Sequence, residues 1–435
     1  MHSTGNMMKK IFTIVVSVFF LGTNSTLNAG DVSLRSISQA RTSSLNGLYI
    51  AGVDEMNNTF SNVAGLTYLN SRFVELSLVD LIGQSELDNP TNGLYRSFQQ
   101  DNVALSAGIF YPLSEKIIIA LSYQRAYDYN ANWPFAVLTS TDSSSVLQTF
   151  DLLNNINVDA ILPSVAFRVG SLSIGVSLNI FNVNYKSSFP VTNFEWNDTL
   201  GLPAYQMEYD MDAWSFGFNV GMMYDATEDL RTGAFVRSSF SADLEGSAKS
   251  DLLGSIDSVS AQSDVTTTFE YPWVFGLGML YNISAEWIVN LDFQYSLFGS
   301  GSQSLVMNYS DPGWSTKNFQ TDPLTGINPS DILLSFDDAF DAGVGIEYLL
   351  TDWSFSGGYR FSQSQNTDAS YNFLFPTVDQ HWISLGLGYN DSIYFVDLTA
   401  AYAFGSDTET ISIPSVSGKY DSQTVNVSLS IKYAF

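Results

Sequence analysis

The chain has no cysteine and only two histidines, His2 and His381. Without thiols there is no disulfide framework, no thiolate metal site and no cysteine nucleophile. With two histidines, a His-rich zinc site or a Ser-His-Asp triad has almost nothing to draw on, and no metal or other cofactor is called for. Bases are scarce as well: 17 Lys and Arg stand against 44 Asp and Glu, a formal charge of −27. No basic stripe exists to replace phosphate counterions, so nucleic-acid binding is excluded. Charged residues of both signs make up only 14%, against roughly 25% in an ordinary soluble domain. After Ala29 no run of roughly 18 or more apolar residues occurs, so any membrane contact of the mature chain is not made by spanning helices.

What the chain does have is aromatic residues, at 14%. A disordered acidic chain would be poor in them. The first residues read as a secretory leader spanning Met7 to Gly30. Lys9 and Lys10 supply the positive start, Ile11 to Leu21 an apolar stretch too short to span a bilayer, and Leu27-Asn28-Ala29 a cleavage site. Residues 1–29 are therefore expected to be a signal peptide.

The rest alternates with period two, the pleat of a β-strand. Val425, Val427, Leu429, Ile431, Tyr433 and Phe435 share one face, opposed by Thr424, Asn426, Ser428, Ser430, Lys432 and Ala434. The same pattern recurs from Trp273 to Tyr281, from Trp287 to Leu297, from Trp353 to Phe361 and from Tyr394 to Phe404. Trp273, Trp287 and Trp353 begin their apolar faces; Tyr281, Tyr295 and Phe361 end or nearly end theirs. An apolar band flanked by rings marks a strand that crosses a bilayer, with amphipathic rings at the headgroups.

Fourteen strands are expected, at 71–83, 102–112, 116–127, 157–170, 172–186, 205–224, 228–241, 264–282, 285–298, 340–350, 352–364, 380–390, 392–405 and 418–435. Short and long connections alternate, as in outer-membrane barrels with brief periplasmic turns and long outer loops. The fold class is thus all-β: an antiparallel fourteen-stranded transmembrane β-barrel over residues 71–435, in the bacterial outer membrane. Residues 30–70, mixed in polar and small side chains, are expected to form a small plug, or hatch, in the lumen. The apolar stretch within 127–150, with Tyr127, Tyr129, Trp133, Phe135, Val137 and Leu138, reads as an external loop and a candidate substrate groove. Arg231, Arg237 and Arg360 are candidate luminal groups, facing either a substrate carboxylate or the chain's own Asp292, Glu347 or Asp397.

Two constellations point elsewhere. Asp379, His381 and Ser384 lie close in sequence, but where a loop enters a strand, and are read as boundary residues rather than catalytic ones; the chain is not expected to be an enzyme. The acidic groups Asp337, Asp338 and Asp341, and Asp198, Glu208 and Asp210, lack the spacing and central glycine of a calcium loop and read as solvated faces.

Three stretches resemble the FadL-type family of outer-membrane transport proteins. The first runs from Asn46-Gly47-Leu48-Tyr49 to Asp54 and on through Phe60-Ser61-Asn62-Val63-Ala64-Gly65-Leu66. It is similar to the family's hatch motif, with Val63 where the family has proline. The second is Pro272-Trp273 to Tyr281 with Trp287 to Tyr295. The third comprises Pro376, Asp379, His381, Ile383 to Tyr389, and the terminal strand ending at Phe435. The resemblance implies passive transport of hydrophobic compounds, such as long-chain fatty acids or hydrocarbons, through a luminal pocket and a movement of the hatch at Asn62–Leu66. It also implies a lateral gap made by a kink in the third strand, although Ile117 to Tyr123 contains neither Gly nor Pro. Pro163 in the fourth strand is a second place for a bend. Expected partners are a hydrophobic small molecule, outer-membrane lipid and lipopolysaccharide, the last through divalent ions on acidic loops; the barrel is expected to be a monomer. The alternatives are a related barrel that serves protein secretion, like the type IX shuttle, and a porin for polar solutes.

Overall fold

A computed structural model describes residues 39–435, apart from 91–92, 142–143, 193–203, 251–252, 254–258, 317–318, 323, 369–370, 372, 392 and 410–413. The leader and its cleavage site, and Asp198 of the second acidic group, lie outside the described residues.

The wall has fourteen strands: β1 (Phe73–Asn89), β2 (Gln100–Ser114), β3 (Ile117–Thr141), β4 (Ser144–Val169), β5 (Leu172–Val191), β6 (Tyr205–Asp225), β7 (Leu230–Arg237, resuming as Phe240–Ser250), β8 (Gln262–Tyr271, resuming as Val274–Asn282), β9 (Trp287–Ser296), β10 (Ala339–Leu350), β11 (Trp353–Ser362), β12 (Gln380–Asn390), β13 (Tyr394–Glu409) and β14 (Gly418–Ala434). Each pairs antiparallel with its neighbour, and β1 closes on β14 from Phe73 opposite Ala434 to Asp88 opposite Lys419. Closure leaves no row of unpaired N–H and C=O groups facing hydrocarbon.

The alternation sorts the side chains inside out relative to a soluble protein. Leu76, Leu105, Leu277 and Leu385 are exposed on the outer surface, while Ser77, Ser428 and Ser430 are buried toward the lumen. The Ser77 and Ser430 hydroxyls share a hydrogen bond of 2.8 Å across the seam. Small hydroxyl residues suit the inner wall because a plug must pack against it and its polar backbone.

Several strands run past the expected ends. The segment read as a loop at 127–150 is the tall outer half of the β3–β4 hairpin, paired from Tyr127 opposite Val158 to Thr141 opposite Ser144. The cause is one extra residue. A β-bulge falls between Arg125 and Tyr127, and an inserted residue flips every later side chain to the other face. Below it Ile119, Leu121 and Tyr123 look outward; above it Tyr127, Tyr129, Trp133 and Phe135 are buried. Period two continues with its sense reversed, so the rings imitate a sticky loop in the sequence. Pro163 makes no comparable break: it sits opposite Leu121 on β3. On the β5 side the pairing resumes in unchanged register at Ser164 opposite Ser177.

Leu385 is 69% exposed on the outer face of β12. Leu385→Arg should destabilise the barrel by about 2–4 kcal/mol, the cost of a cation on the lipid face near mid-bilayer. Urea titration of folding into lipid vesicles measures it.

Candidate functional site: the plugged lumen

Residues 39–69 pack against the inward faces of the wall, and the exposed Asn70, Ser71 and Arg72 lead into β1. The packed stretch forms α1 (Ala40–Ser44), α2 (Glu55–Asn58) and a 3₁₀ turn (Val63–Tyr68). These pieces are too short to be stable alone; the wall holds them. Arg41 Nη2 bonds Glu347 Oε2 at 2.9 Å. Asn46 Nδ2 and the Ile50 N–H donate to the two oxygens of Asp292, at 3.1 and 2.8 Å. Ser384 Oγ donates to Ser44 O at 3.0 Å, the Thr59 and Ser122 hydroxyls bond at 2.7 Å, and Thr67 Oγ1 donates to Ser173 Oγ at 2.7 Å. Asp54, buried on the plug, lies 3.9 Å from Lys432 Nζ. Burial also pushes the Tyr49 phenol up to about 12, so it stays neutral.

The hatch motif is the joint of this plug. Asn62 Oδ1 accepts from the Ala64 N–H at 3.3 Å, capping the 3₁₀ turn. Its Nδ2 donates to Ile50 O at 2.9 Å and to Met222 O of β6 at 3.0 Å. Val63, Ala64, Gly65 and Leu66 are all buried. The turn that proline would stiffen is held here by the Asn62 side chain and by close backbone contact. A Cβ on Gly175 of β5 would lie 2.5 Å from the Val63 carbonyl carbon, and one on Gly221 of β6 would lie 2.1 Å from Asn62 Oδ1. Gly358 of β11 and Gly386 of β12 meet Asn46 and Ser44 in the same way. Inward glycines on these strands thus form the seat of the plug, a feature the sequence reading missed. Its signal was glycine on the small-residue face of successive strands.

Four of the candidate groove residues, Tyr127, Tyr129, Trp133 and Phe135, are brought together, but in the lumen. Tyr127 packs against Tyr271 with centroids 5.0 Å apart, Tyr271 stacks on Phe240 at 4.4 Å, and Phe240 stacks on Phe181 at 4.0 Å. Phe60 of the plug meets Tyr127 edge-on at 5.7 Å. This layer crosses the lumen directly above the hatch. Each aromatic contact adds about 0.5–1.5 kcal/mol beyond burial. Higher up, Tyr129 stacks on Phe375 at 5.3 Å and Trp133 meets Phe373 at 5.2 Å, while Tyr129 Oη donates to Leu374 O at 2.7 Å. The connection between β11 and β12 therefore folds inward as a cap, which its length alone did not reveal. Val137 and Leu138 lie on β3; their side chains are outside the described residues.

The three arginines part ways. Arg231 bonds Asp225 Oδ1 at 2.9 Å and lies 3.7 Å from the centre of the Tyr68 ring, near the short-turn end. Arg360 lies 4.9 Å over Trp382 and reaches the plug so closely that a Cβ on Gly47 would sit 2.6 Å from its Nη1. Gly47 itself has φ +80°, where a side chain is strained. Arg237 is buried against Phe60. Of the acids proposed to balance them, Glu347 is taken by Arg41 and Asp292 by the plug backbone.

Among the described residues the wall ladder, besides skipping Leu162 and Pro163 between β4 and β5, is interrupted at two further places. Between β2 and β3 pairing stops at Ala107 opposite Tyr123, so residues 100–106 pair only with β1. The bulge at Ala126, in the pairing of β3 with β4, lies three residues past this gap in the ladder. Gln39 spans it, with Nε2 bonding Ser106 Oγ at 3.4 Å and Gln124 Oε1 at 3.2 Å. Between β6 and β7 pairing stops at Asn219 opposite Arg237 and resumes, shifted by one residue, at Asp212 opposite Glu245. The break at Ser238 and Ser239 in β7 faces the break at Pro272 and Trp273 in β8.

The Asp379, His381 and Ser384 set does not assemble. Asp379 Oδ1 accepts from the Ser364 N–H at 2.7 Å, His381 Nδ1 bonds Tyr359 Oη at 2.8 Å, and Ser384 binds the plug. His381 and Ser384 lie an odd number of residues apart on β12, on opposite faces of the wall. Asp338 accepts from the Gly299 N–H at 2.9 Å and from Tyr295 Oη at 3.0 Å, ordinary loop bonds.

Fold and site define a plugged outer-membrane β-barrel. The chain belongs to the family described as outer membrane protein transport protein (OMPP1/FadL/TodX), whose model matches residues 50–435. It is similar in fold to a Pseudomonas aeruginosa FadL homologue, with TM-score 0.71 and 15% identity, covering 94% of this chain and 100% of that one. The Ralstonia pickettii toluene transporter TbuX gives 0.68 at 16% identity, covering 92% of this chain and 99% of that one. In sequence it is 22% identical over 215 residues to a long-chain fatty acid transport protein of Escherichia coli, covering 45% of this chain and 43% of that protein. The match thus spans less than half of that curated relative.

Gly221→Val should unseat the hatch, because the added Cβ has no room beside Asn62. Planar-bilayer recordings are expected to show a higher ion conductance than the wild type. The folded barrel should keep its heat-dependent gel mobility.

Proposed function

We propose that the protein is a passive outer-membrane channel for hydrophobic compounds, gated by its plug. One observation carries the reading: a layer of buried aromatic side chains crosses the lumen of a lipid-facing barrel, directly above the hatch. A water-filled pore offers nothing to an apolar solute, whereas ring-lined space removes its surface from water at roughly 25 cal/mol per Å². The solute enters beneath the cap at Phe373–Phe375 and rests among Tyr127, Phe240 and Tyr271. It leaves through the opening between β2 and β3 when Gln39 and the hatch move aside. Exit into the bilayer avoids returning an apolar molecule to water. Flow follows the concentration gradient. Relatives described as fatty acid and toluene transporters support this reading. A porin for polar solutes would need an open lumen, and the plug and aromatic layer fill the one here.

The absence of native thiols makes the exit testable. Ser106→Cys with Gln124→Cys, bridged by a short bifunctional thiol reagent, should slow transfer of a hydrophobic solute into proteoliposome membranes at least several-fold. A cleavable reagent should restore it on reduction. Unchanged transfer after complete bridging would rule this route out.

A further inference from the structure

Phe373 belongs to the connection between β11 and β12, yet its ring is 1% exposed. It stands in a box of three rings. Trp133 meets it edge-on at 5.2 Å, Tyr95 at 5.7 Å and Phe135 at 6.0 Å. Trp133 and Phe135 are alternate inward residues of β3, and Tyr95 lies on a short strand (Gly93–Arg96) that pairs with β1. The box is thus built on paired strands, and the ring inside it arrives from a connection. One group in the box is left unserved. The Trp133 side chain is buried, and among the described residues its indole N–H has no hydrogen-bond partner. A buried indole usually finds one, and a donor taken out of water unpaired is costly. The phenyl ring of Phe373 has no lone pair to offer it.

We propose that this box is a binding site for a single aromatic ring bearing an oxygen acceptor, such as a phenol, an aryl ketone or an aryl ester, with Phe373 as its tethered competitor. The proposal rests on the hydrophobic-transport reading and adds a site to it. Phe373 shows the shape that fits, one six-membered ring among three ring edges. A ligand of that shape with an oxygen does what Phe373 does not: it fills the box and pairs the indole N–H as well. Because Phe373 is held on the chain, it competes at a high effective concentration and masks the box from rings that only match its shape. Displacing it has a consequence below. The next residues of the cap are fastened to the wall by Leu374 O, which accepts from Tyr129 Oη at 2.7 Å and from Asn154 Nδ2 at 2.9 Å. Phe375 stacks on Tyr129 at 5.3 Å. Tyr129 stands two residues from Tyr127 on the same inward face of β3. A ligand that evicts Phe373 therefore strains the contacts that cover Tyr129, and the way to the aromatic layer opens beneath it.

The test uses the full chain in non-ionic detergent and equilibrium dialysis of two labelled probes, acetophenone and ethylbenzene, with protein-free micelles as the blank. The probes share a shape and differ in the oxygen. The wild type should favour acetophenone several-fold. Phe373→Ala, which removes the competitor, should bind acetophenone about tenfold more tightly, the opposite of what truncating a merely structural residue does. Trp133→Phe keeps a ring and removes the N–H; it should erase the preference and leave ethylbenzene unchanged. Heat-dependent gel mobility checks that the variants fold. Unchanged or weaker acetophenone binding in Phe373→Ala would overturn the site, as would a preference that survives Trp133→Phe. In either case, transfer of a hydrophobic solute into proteoliposome membranes by the same protein would leave the channel reading standing. A wild type that neither binds the probes nor transfers such a solute would remove both.

Discussion

The bilayer offers no water to satisfy backbone N–H and C=O groups, and the architecture answers to that constraint. It requires a sheet closed on itself, as β1 on β14 achieves. It also makes any interruption of the ladder informative. At the ladder gaps of β2–β3 and β6–β7 the wall leaves regular strand pairing, and at the second the Ser238 N–H still donates to Phe218 O at 2.9 Å. Both are backed by luminal side chains, Gln39 and Gln124 at one and the Phe181–Phe240 stack at the other. The two irregularities meet in the middle, because the bulge that opens β3 also turns Tyr127 inward to touch Phe240 and Tyr271.

The plug solves the opposite problem. It is polar, made of pieces too short to fold alone, and buried against the wall. Its bonds run to wall hydroxyls, carboxylates and carbonyls as well as within itself, where Asp54 accepts from Thr42 and Asn62 donates to Ile50 O. Burying polar groups is tolerable only if they are paired, and here the pairing doubles as attachment. Glycines on the facing strands let backbone meet backbone, so side-chain donors reach partners that a Cβ would hold away.

Much of this was legible in the sequence, because period two and the placement of Trp and Tyr report the pleat and the membrane boundaries directly. The strand number and the order of short and long connections could be read from local pattern, whereas the Asn62–Leu66 hatch was implied by the family resemblance. The apolar run at Tyr127–Phe135 misled because one bulge residue reverses the sense of alternation without disturbing its period. The resemblance implies a lateral gap from a kink in the third strand; the irregularity that β3 has is this bulge, at a position with neither Gly nor Pro. The cap at Phe373–Phe375 and the choice among Arg231, Arg237 and Arg360 depend on which distant residues meet, information carried by closure of the barrel and absent from any single segment.

The seam joining β1 to β14 has a consequence for how the molecule comes to exist. Phe435 N–H bonds Arg72 O, one residue before the first strand, so the ring cannot shut until the very last residue is in place. The plug precedes that first strand in the chain, so it is tethered at the very seam where the cylinder shuts. Its polar attachments on strand after strand brace the curved wall from within, much as a former holds a stave vessel.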